Sequence, residues 1–330
     1  MLQVLQSRAA WRALFTLTIA VAAFTATSAR ASSADWPNRP VRLIVPYAAG
    51  GGTDRTARSL AQHISKAIGQ PVIVENRPGA GSAIGAEALA KSTPDGYTLM
   101  VATSATLTVN PYLIPKLTYD PANLAPIAIY GRLPLYVMTS NDNPAKSVSE
   151  LLAQGSGKDL TFGTAGHGTM GHIAAELIGL RTGVGLLHIP FKGNAAALPE
   201  VATGRVDFAV ADTGSARGLI DAGRLKLLAT SSANRTGLEP NIPSMLEVGI
   251  KDVDISAWLG IVAPRGTSPE IIARLEKEVL QAATDPSLKA EFAESGFEGM
   301  GVGTEEFTRL IEEESKVMKQ VIETAKISTM

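Results

Sequence analysis

Along almost its whole length the chain alternates short apolar runs of strand length with longer stretches of helical period, and that alternation limits the architectures open to it. Val41 to Val45 reads as a buried strand, and Thr53 to Gly69 follows as a helix with Ala57, Leu60, Ala61, Ile64 and Ile68 on one face. Val72 to Val74, Leu99 to Ala102 and Ala125 to Ile129 read as further strands, and Ala83 to Ala90 as a short helix closed by the turn Pro94-Asp95-Gly96. The theme then repeats. Ser147 and Glu150 form a capping box for a helix ending near Gln154. Strands at Leu160 to Gly163, Leu186 to Ile189, Phe208 to Val210 and Leu227 to Thr230 alternate with helices at Thr169 to Arg181, Ala195 to Thr203 and Ser215 to Ala222. Trp258 to Ala263 is a last strand, and three helices finish the chain. Ser268-Pro269 caps the first of these, and the last, from Thr304, buries Phe307, Leu310, Ile311, Met318, Val321 and Ile322. The expected class is α/β, with mostly parallel sheets flanked by helices.

No charge run, low-complexity tract or long linker separates the two series. Two lobes that exchange strands fit this better than two independent beads. Crossings are expected near Leu135 to Thr139 and near Ser256 to Leu259. One lobe then comprises residues 32–137 with 258–330, and the other, 138–257, is inserted into it.

The N-terminus sets the compartment. Arg8 and Arg12 give a basic start, Ala13 to Thr27 is apolar or small throughout, and Ala29-Arg30-Ala31 is an A-x-A cleavage signal. Together these read as a secretory signal peptide, residues 1–31, with the mature chain starting at Ser32. The uncharged stretch is only about 17 residues, the short limit for a membrane span. A periplasmic location is expected. There are no cysteines, so there are no disulfides, no lipid anchor, no thiolate metal site and no cysteine nucleophile. A soluble monomer is expected. Without the leader's three arginines the balance is 27 basic to 31 acidic residues. Nucleic acid, which requires a clustered basic face, is not an expected partner.

The chemistry sits at two strand-turn-helix junctions. The first is Pro46-Tyr47-Ala48-Ala49-Gly50-Gly51-Gly52-Thr53-Asp54, and the second is Gly163-Thr164-Ala165-Gly166-His167-Gly168-Thr169. A helix start offers unpaired N–H groups and the positive end of the helix dipole. Glycines let a ligand touch the backbone, so the two turns can cradle an anion without Lys or Arg. Thr53, Thr164 and Thr169 add hydroxyls. One such turn on each lobe gives two jaws of a clamp. Each turn could equally be a tight connection. A third glycine-rich turn, Pro78 to Ser82, reads as structural.

Enzyme readings find little support. Gly166-His167-Gly168-Thr169-Met170-Gly171 matches the dinucleotide fingerprint, yet the next strand ends in Pro190-Phe191-Lys192 with no acid for a ribose. No Walker lysine and no G-x-S-x-G elbow is present. His167 and His172 are five apart across a helix start, poor spacing for a shared metal, and Asp212 could add a ligand only by folding. No catalytic residue, metal or cofactor is expected; His172 and His188 read as structural, and His167 as a possible donor to ligand.

The chain resembles the substrate-binding proteins of tripartite tricarboxylate transporters, the Bug family. The carriers, in order, are Trp36-Pro37, Pro40-Val41-Arg42, the turn Pro46 to Asp54, Val74 to Gly81, and Pro94 to Leu99. Gly166, Gly168, Thr169 and His172 follow, then His188 to Gly193, Gly204 to Asp207, Pro243 to Gly249, and Trp258-Leu259-Gly260. The resemblance implies a Venus-flytrap fold (type II-like) of two lobes joined by crossing strands. It implies capture of a small carboxylate, whether di- or tricarboxylate, aromatic acid or amino acid, for delivery to the transporter's membrane subunits. Its ligand loops fall on Tyr47, Ala49, Gly50, Gly51, Gly52, Thr53 and Asp54, and on Thr164, Ala165, His167, Gly168 and Thr169. Ser104 and Asp212 follow strand ends that could reach the same cleft, although an acid at 212 repels a second carboxylate unless it meets a polar or cationic group. Asp54 either orders the first loop, meets a ligand ammonium, or serves as an acid at the helix start. The family often has a small or amide residue at position 167, Ser at 169 and Phe at 47, so the pocket lining here is individual. The same fold could instead report ligand to a membrane sensor kinase, and an exported hydrolase or lyase is the remaining alternative.

Overall fold

The computed structural model describes residues 36–328; the expected signal peptide lies outside them. The chain divides into the units Met1–Asn38 and Arg39–Met330, and the architecture below is that of the second.

Six strands form the first sheet: β1 (Val41–Val45), β2 (Val72–Asn76), β3 (Thr98–Thr103), β4 (Leu124–Leu133), β10 (Ala257–Pro264) and β11 (Glu298–Val302). Their order is β11-β4-β10-β3-β1-β2. The second sheet, in the order β7-β6-β8-β5-β9, comprises β5 (Tyr136–Ser140), β6 (Leu160–Thr164), β7 (Leu186–Pro190), β8 (Phe208–Ala211) and β9 (Leu225–Thr230). Leu43 of β1 stands opposite both Val74 and Leu99, and Phe162 of β6 opposite both His188 and Phe208.

Both sheets are mixed, which corrects the expectation of mostly parallel ones. β1 is parallel to β2 and β3, but β10 runs antiparallel to β3 and β4, and β11 antiparallel to β4. Likewise β6 is parallel to β7 and β8, while β5 is antiparallel to β8 and β9. Parallel neighbours need a crossover, usually a helix. The strands that carry the chain between the sheets lack one. β4 reaches β5 through Pro134 and Leu135 alone, and no helix lies between β9 and β10.

The helices are α1 (Gly52–Ile68), α2 (Ala83–Ala90), α3 (Asn110–Leu113), α4 (Val148–Ala153), α5 (Met170–Thr182), α6 (Asn194–Ala202), α7 (Thr213–Asp221), α8 (Pro269–Thr284), α9 (Pro286–Glu294) and α10 (Thr304–Thr324). α1 buries Ala57, Leu60, Ala61, Ile64 and Ile68, the stripe its 3.6-residue period implies, and ends at left-handed Gly69. Ser268 Oγ accepts the Ile271 N–H at 3.4 Å and caps α8. The box at α4 is half formed. Ser147 Oγ accepts the Glu150 N–H at 3.2 Å, but the Glu150 carboxylate takes the Lys146 N–H rather than that of Ser147. Three features escaped the sequence pattern: a π turn, Ala105–Val109, the short helix α3 it leads into, and the edge strand β11 between α9 and α10.

The cores tie these parts together. Ile44, Met100, Ile129, Trp258, Val262 and Phe307 pack over the first sheet, with Leu310 and Ile311 only partly buried against them. Val137, Phe162, Ile173, Leu177, Phe208 and Val210 pack over the second. α10 belongs to both, since Phe307 lies in the first core and Met318, Val321 and Ile322 in the second. Where the chain passes between sheets the strands are stitched. The Leu135 carbonyl accepts the Ser231 N–H at 2.8 Å, and the Ser231 carbonyl accepts the Ile255 N–H at 2.9 Å. Ser231 Oγ adds a bond to the Ile255 carbonyl at 2.6 Å. Among the described residues no helix is long and apolar enough to cross a membrane.

Candidate functional site

The first glycine-rich turn leaves β1 at its carboxyl end and opens α1. Asp54, 2% exposed, orders it. Its carboxylate accepts the Gly50 N–H at 2.8 Å, the Asn76 amide at 2.8 Å and Arg58 Nε at 3.0 Å. Asn76 also donates to the Tyr47 carbonyl at 3.0 Å, so one amide ties both ends of the turn. Burial alone raises the Asp54 pKa, but the bonds from Arg58, Gly50 and Asn76 outweigh it and hold the carboxyl below its ordinary value. Asp54 is thus fully engaged in shaping the loop, and of the three roles open to it from sequence this geometry matches the ordering one.

Around that anchor the rest of the turn is presented. Ala49, Gly50 and Gly51 are exposed, and Gly52 and Thr53 half-buried. Gly50 has φ of 82°, a left-handed conformation that glycine adopts without penalty. Gly51 is the N-cap of α1, and no side chain caps that start, so the helix's first N–H groups are offered outward. Tyr47 OH bonds Thr103 Oγ1 at 3.0 Å. Burial raises its pKa, against the effect of that bond, so it stays a neutral phenol. The turn Ser295-Gly296-Phe297 flanks this jaw: a Cβ on Gly52 would lie 2.8 Å from the Phe297 ring, and Arg55 Nε donates to Ser295 Oγ at 3.2 Å.

The second turn leaves β6 at its carboxyl end and opens α5. Thr164 Oγ1, buried, lies 3.1 Å from the Gly166 carbonyl, 3.2 Å from the Gly166 N–H and 2.6 Å from His188 Nε2. The Ala165 carbonyl accepts the Gly193 N–H at 3.2 Å. Thr169 is the N-cap of α5; its Oγ1 accepts the His172 N–H at 3.4 Å and donates to the Gly166 carbonyl at 2.9 Å. Gly168 has φ of 69°, and its N–H donates to His172 Nδ1 at 3.1 Å. A Cβ there would lie 2.1 Å from Leu113 Cδ2, so α3 presses directly on this loop.

His167, His172 and His188, separate in sequence, come together beside the loop. The His172 and His188 rings stack with centroids 3.6 Å apart, and His167 stands edge-on to His188 at 5.0 Å. Burial first, then the neighbouring His172 and His167, push the His188 pKa down to about 3, so that ring is neutral.

One candidate, Ser104, differs from its sequence placement, and Asp212 keeps the expected place after a strand end. Ser104 does not line the cleft. It is fully buried, its Oγ accepts the Trp258 N–H at 3.2 Å and points to the Ser256 carbonyl at 3.5 Å, and so it pins the returning strand. Ser104 is the residue at which β3 gives way to the π turn. Asp212 is the N-cap of α7 and accepts the Ser215 N–H at 2.7 Å, Ser215 Oγ at 2.8 Å and Asn194 Nδ2 at 3.1 Å. Its charge therefore meets polar partners within its own lobe.

Sequence reasoning reached Asp212 at the start of α7 but not Gly214 beside it. Gly214 there meets Gly296 of the flanking turn, where a Cβ on Gly296 would lie 3.3 Å from Gly214 Cα. The signal was present: Asp212-Thr213-Gly214-Ser215 is an N-cap and a glycine at a strand end, like the two turns already singled out. Also missed was Glu314 on α10, which accepts Trp258 Nε1 at 2.6 Å and has its pKa pushed up to about 8, chiefly by burial. It lines a cavity of about 430 Å³ with Trp258, Ile255 and Arg181, formed by α5, α10 and the returning strand rather than by the glycine turns.

Two α/β lobes joined by crossing strands, each with a glycine-rich turn opening a helix, define a two-lobed solute-binding receptor. The chain belongs to the family of tripartite tricarboxylate transporter receptors, whose model matches residues 56–327. It is 36% identical over 277 residues to the Bordetella pertussis protein BugT, covering 82% of this chain and 85% of that one. A Polaromonas TctC solute-binding protein solved without ligand superposes with a TM-score of 0.80 at 30% identity, over 88% of this chain and 99% of its own. An R. palustris protein solved with adipate superposes with a TM-score of 0.75 at 31% identity, over 90% of this chain and 100% of its own.

Proposed function

We propose that this chain is a periplasmic receptor that captures a small carboxylate between its two glycine-rich jaws and presents the closed form to the membrane subunits of a tripartite tricarboxylate-type transporter. The observation that carries the reading is the first jaw. A buried Asp54 fixes the turn, and the start of α1, with no side-chain cap, leaves its first N–H groups from Gly52 onward without a helical partner, while the Gly51 N–H donates to the Ala48 carbonyl at 3.4 Å. Such a start suits an anion without any basic side chain. Thr53 in the first jaw and His167 in the second supply further donors, while the Thr169 hydroxyl is spent on the Gly166 carbonyl and caps α5. The adipate in a structural relative is a dicarboxylate, which fits a ligand with one anionic end for each jaw.

The moving parts in this reading follow the two sheets, so Tyr136 and Val137, assigned from sequence to the first lobe, move on β5 with the second, whose core also holds Met318, Val321 and Ile322 of α10. Closure turns about Leu135, Ser231 and Ile255, where the crossing strands are bonded. The ligand stabilises the closed state by binding it better than the open one. The receptor acts as a freely diffusing monomer, released when the signal peptide is cleaved near Ala31; the basic start, apolar middle and A-x-A exit support this. No bond is made or broken.

A thermal-shift screen across mono-, di- and tricarboxylates, aromatic acids, amino acids and neutral sugars tests the reading. A ligand at 100 times its Kd adds about 2.7 kcal/mol of stability. The expected result is a raised melting point with one or a few carboxylates; shifts confined to neutral sugars overturn it.

A further inference from the structure

We propose that His167, His172 and His188 form a three-imidazole site for a divalent transition-metal ion of the Zn2+, Co2+ or Ni2+ class, set against the second glycine-rich turn. One ring nitrogen from each histidine lies within 4.8 Å of the others. Nitrogens bound to one such ion sit roughly 3.4 Å apart, given metal–nitrogen bonds of about 2.1 Å in tetrahedral geometry. Because ring-nitrogen lone pairs lie in the ring planes, His172 and His188, now stacked with planes 20° apart, must turn out of their stack for all three nitrogens to meet one ion. The sequence spacing that argues against His167 and His172 as a pair is overcome by His188, which reaches the same place from the neighbouring strand β7.

The surroundings match what imidazole ligands need. A metal-bound histidine is held by a hydrogen bond to its other nitrogen. Thr164 Oγ1 supplies that bond to His188 Nε2 at 2.6 Å, leaving Nδ1 for an ion. Phe162 stacks on His188 at 4.9 Å and gives the site an apolar wall. His167 makes no hydrogen bond among the described residues' contacts that would have to break first. His172 differs. Its Nδ1 accepts the Gly168 N–H, so its other nitrogen, Nε2, is the one left to face an ion, beside Glu176 Oε1 at 3.5 Å. An ion at Nε2 displaces the proton there, and Nδ1 becomes the protonated nitrogen. Gly168 N–H then loses its acceptor. Occupancy of the site and the conformation of the jaw loop are thereby linked. Three nitrogens and no thiolate select a borderline ion over Mg2+ or Ca2+.

The test uses the mature chain without a polyhistidine tag, titrated with Co2+ or Ni2+ alone by calorimetry, with the visible d–d absorption of Co2+ recorded in parallel. One ion per chain and a nitrogen-ligated Co2+ spectrum are expected. His167→Ala should weaken binding about tenfold or more, as loss of a ligand does at least as much harm as loss of its supporting shell. His188→Gln, which keeps a polar partner for Thr164 and guards against misfolding, should do the same. His63→Ala, the remaining histidine, on α1, should leave binding unchanged. Absence of saturable binding, binding that survives both His167→Ala and His188→Gln, or binding lost in His63→Ala overturns the site.

Discussion

Replacing Asp54 by alanine removes the acceptor on which the first jaw is built. Three donors lose it: the Gly50 N–H and Asn76 Nδ2 at 2.8 Å each, and Arg58 Nε at 3.0 Å. They do not count equally. The Arg58 side chain is 47% exposed and rehydrates, so its share is at most about 1 kcal/mol. Asn76 is half-buried and keeps its bond to the Tyr47 carbonyl, while the exposed Gly50 N–H finds water. Bonds to a charged acceptor contribute roughly 1.5–3 kcal/mol each when buried, and after these discounts the loss should total about 2–4 kcal/mol. For a chain of this size that lowers the melting point by about 5–10 °C. The larger consequence is for ligand. With Gly50 and Gly51 free to sample other conformations, binding must order two residues it formerly found ordered, at about 1–2 kcal/mol each, which weakens affinity on the order of 30- to 1000-fold. Calorimetric titration of Asp54→Ala with the best carboxylate from the screen, at a temperature where circular dichroism shows it folded, reads this directly. Affinity within threefold of the parent would refute the idea that Asp54 preorganises the jaw. A loss seen only with amino acids, and not with plain dicarboxylates, would instead place Asp54 on a ligand ammonium.

Three further outcomes are expected. Gly168→Ala should destabilise by about 1–3 kcal/mol in thermal unfolding, because its Cβ meets Leu113 Cδ2 at 2.1 Å, and adding Leu113→Ala should cost less than the two changes summed. Glu314 binds a proton in the folded state from its ordinary 4.5 up to about 8 and releases it on unfolding, so its contribution to stability falls as pH rises through that window and is level above it. Glu314→Gln should remove this slope in denaturant melts compared at pH 5 and pH 9, and gain stability over the parent at the higher pH. Ser104→Ala strips the acceptor from the Trp258 N–H and should cost about 1–3 kcal/mol in stability, with ligand affinity changed less than in Asp54→Ala, since Ser104 lies at the returning strand and not in a jaw.

The alternation of apolar runs was enough to read two α/β series, because strand and helix periods follow from local burial alone. Strand direction was not readable. It depends on where β4, β5, β9 and β10 pass between the sheets, a tertiary event with no local code. β11 was hidden because Gly299 and Gly301 dilute its apolar pattern; a Cβ on Gly299 would crowd Lys289 and the Ala283 carbonyl, so small residues are required there. In the site, the glycine turns were legible as helix starts following strands. Ser104 was read from a strand end, and its bonds to the Trp258 N–H and the Ser256 carbonyl join residues more than 150 positions apart, which no local spacing announces. The histidine cluster was invisible because His188 arrives on a neighbouring strand, and sheet order is not written in spacing.

In this reading the two jaws hold a small solute by its charge. Titration calorimetry of the mature chain with the dicarboxylate that most raises its melting point, alongside the neutral diamide of the same length, measures this without further assumption. One-to-one binding of the diacid, at least a hundredfold weaker binding of the diamide, and loss of diacid binding in Gly51→Asp are predicted. Equal affinity for diacid and diamide, or unchanged affinity in Gly51→Asp, would contradict it.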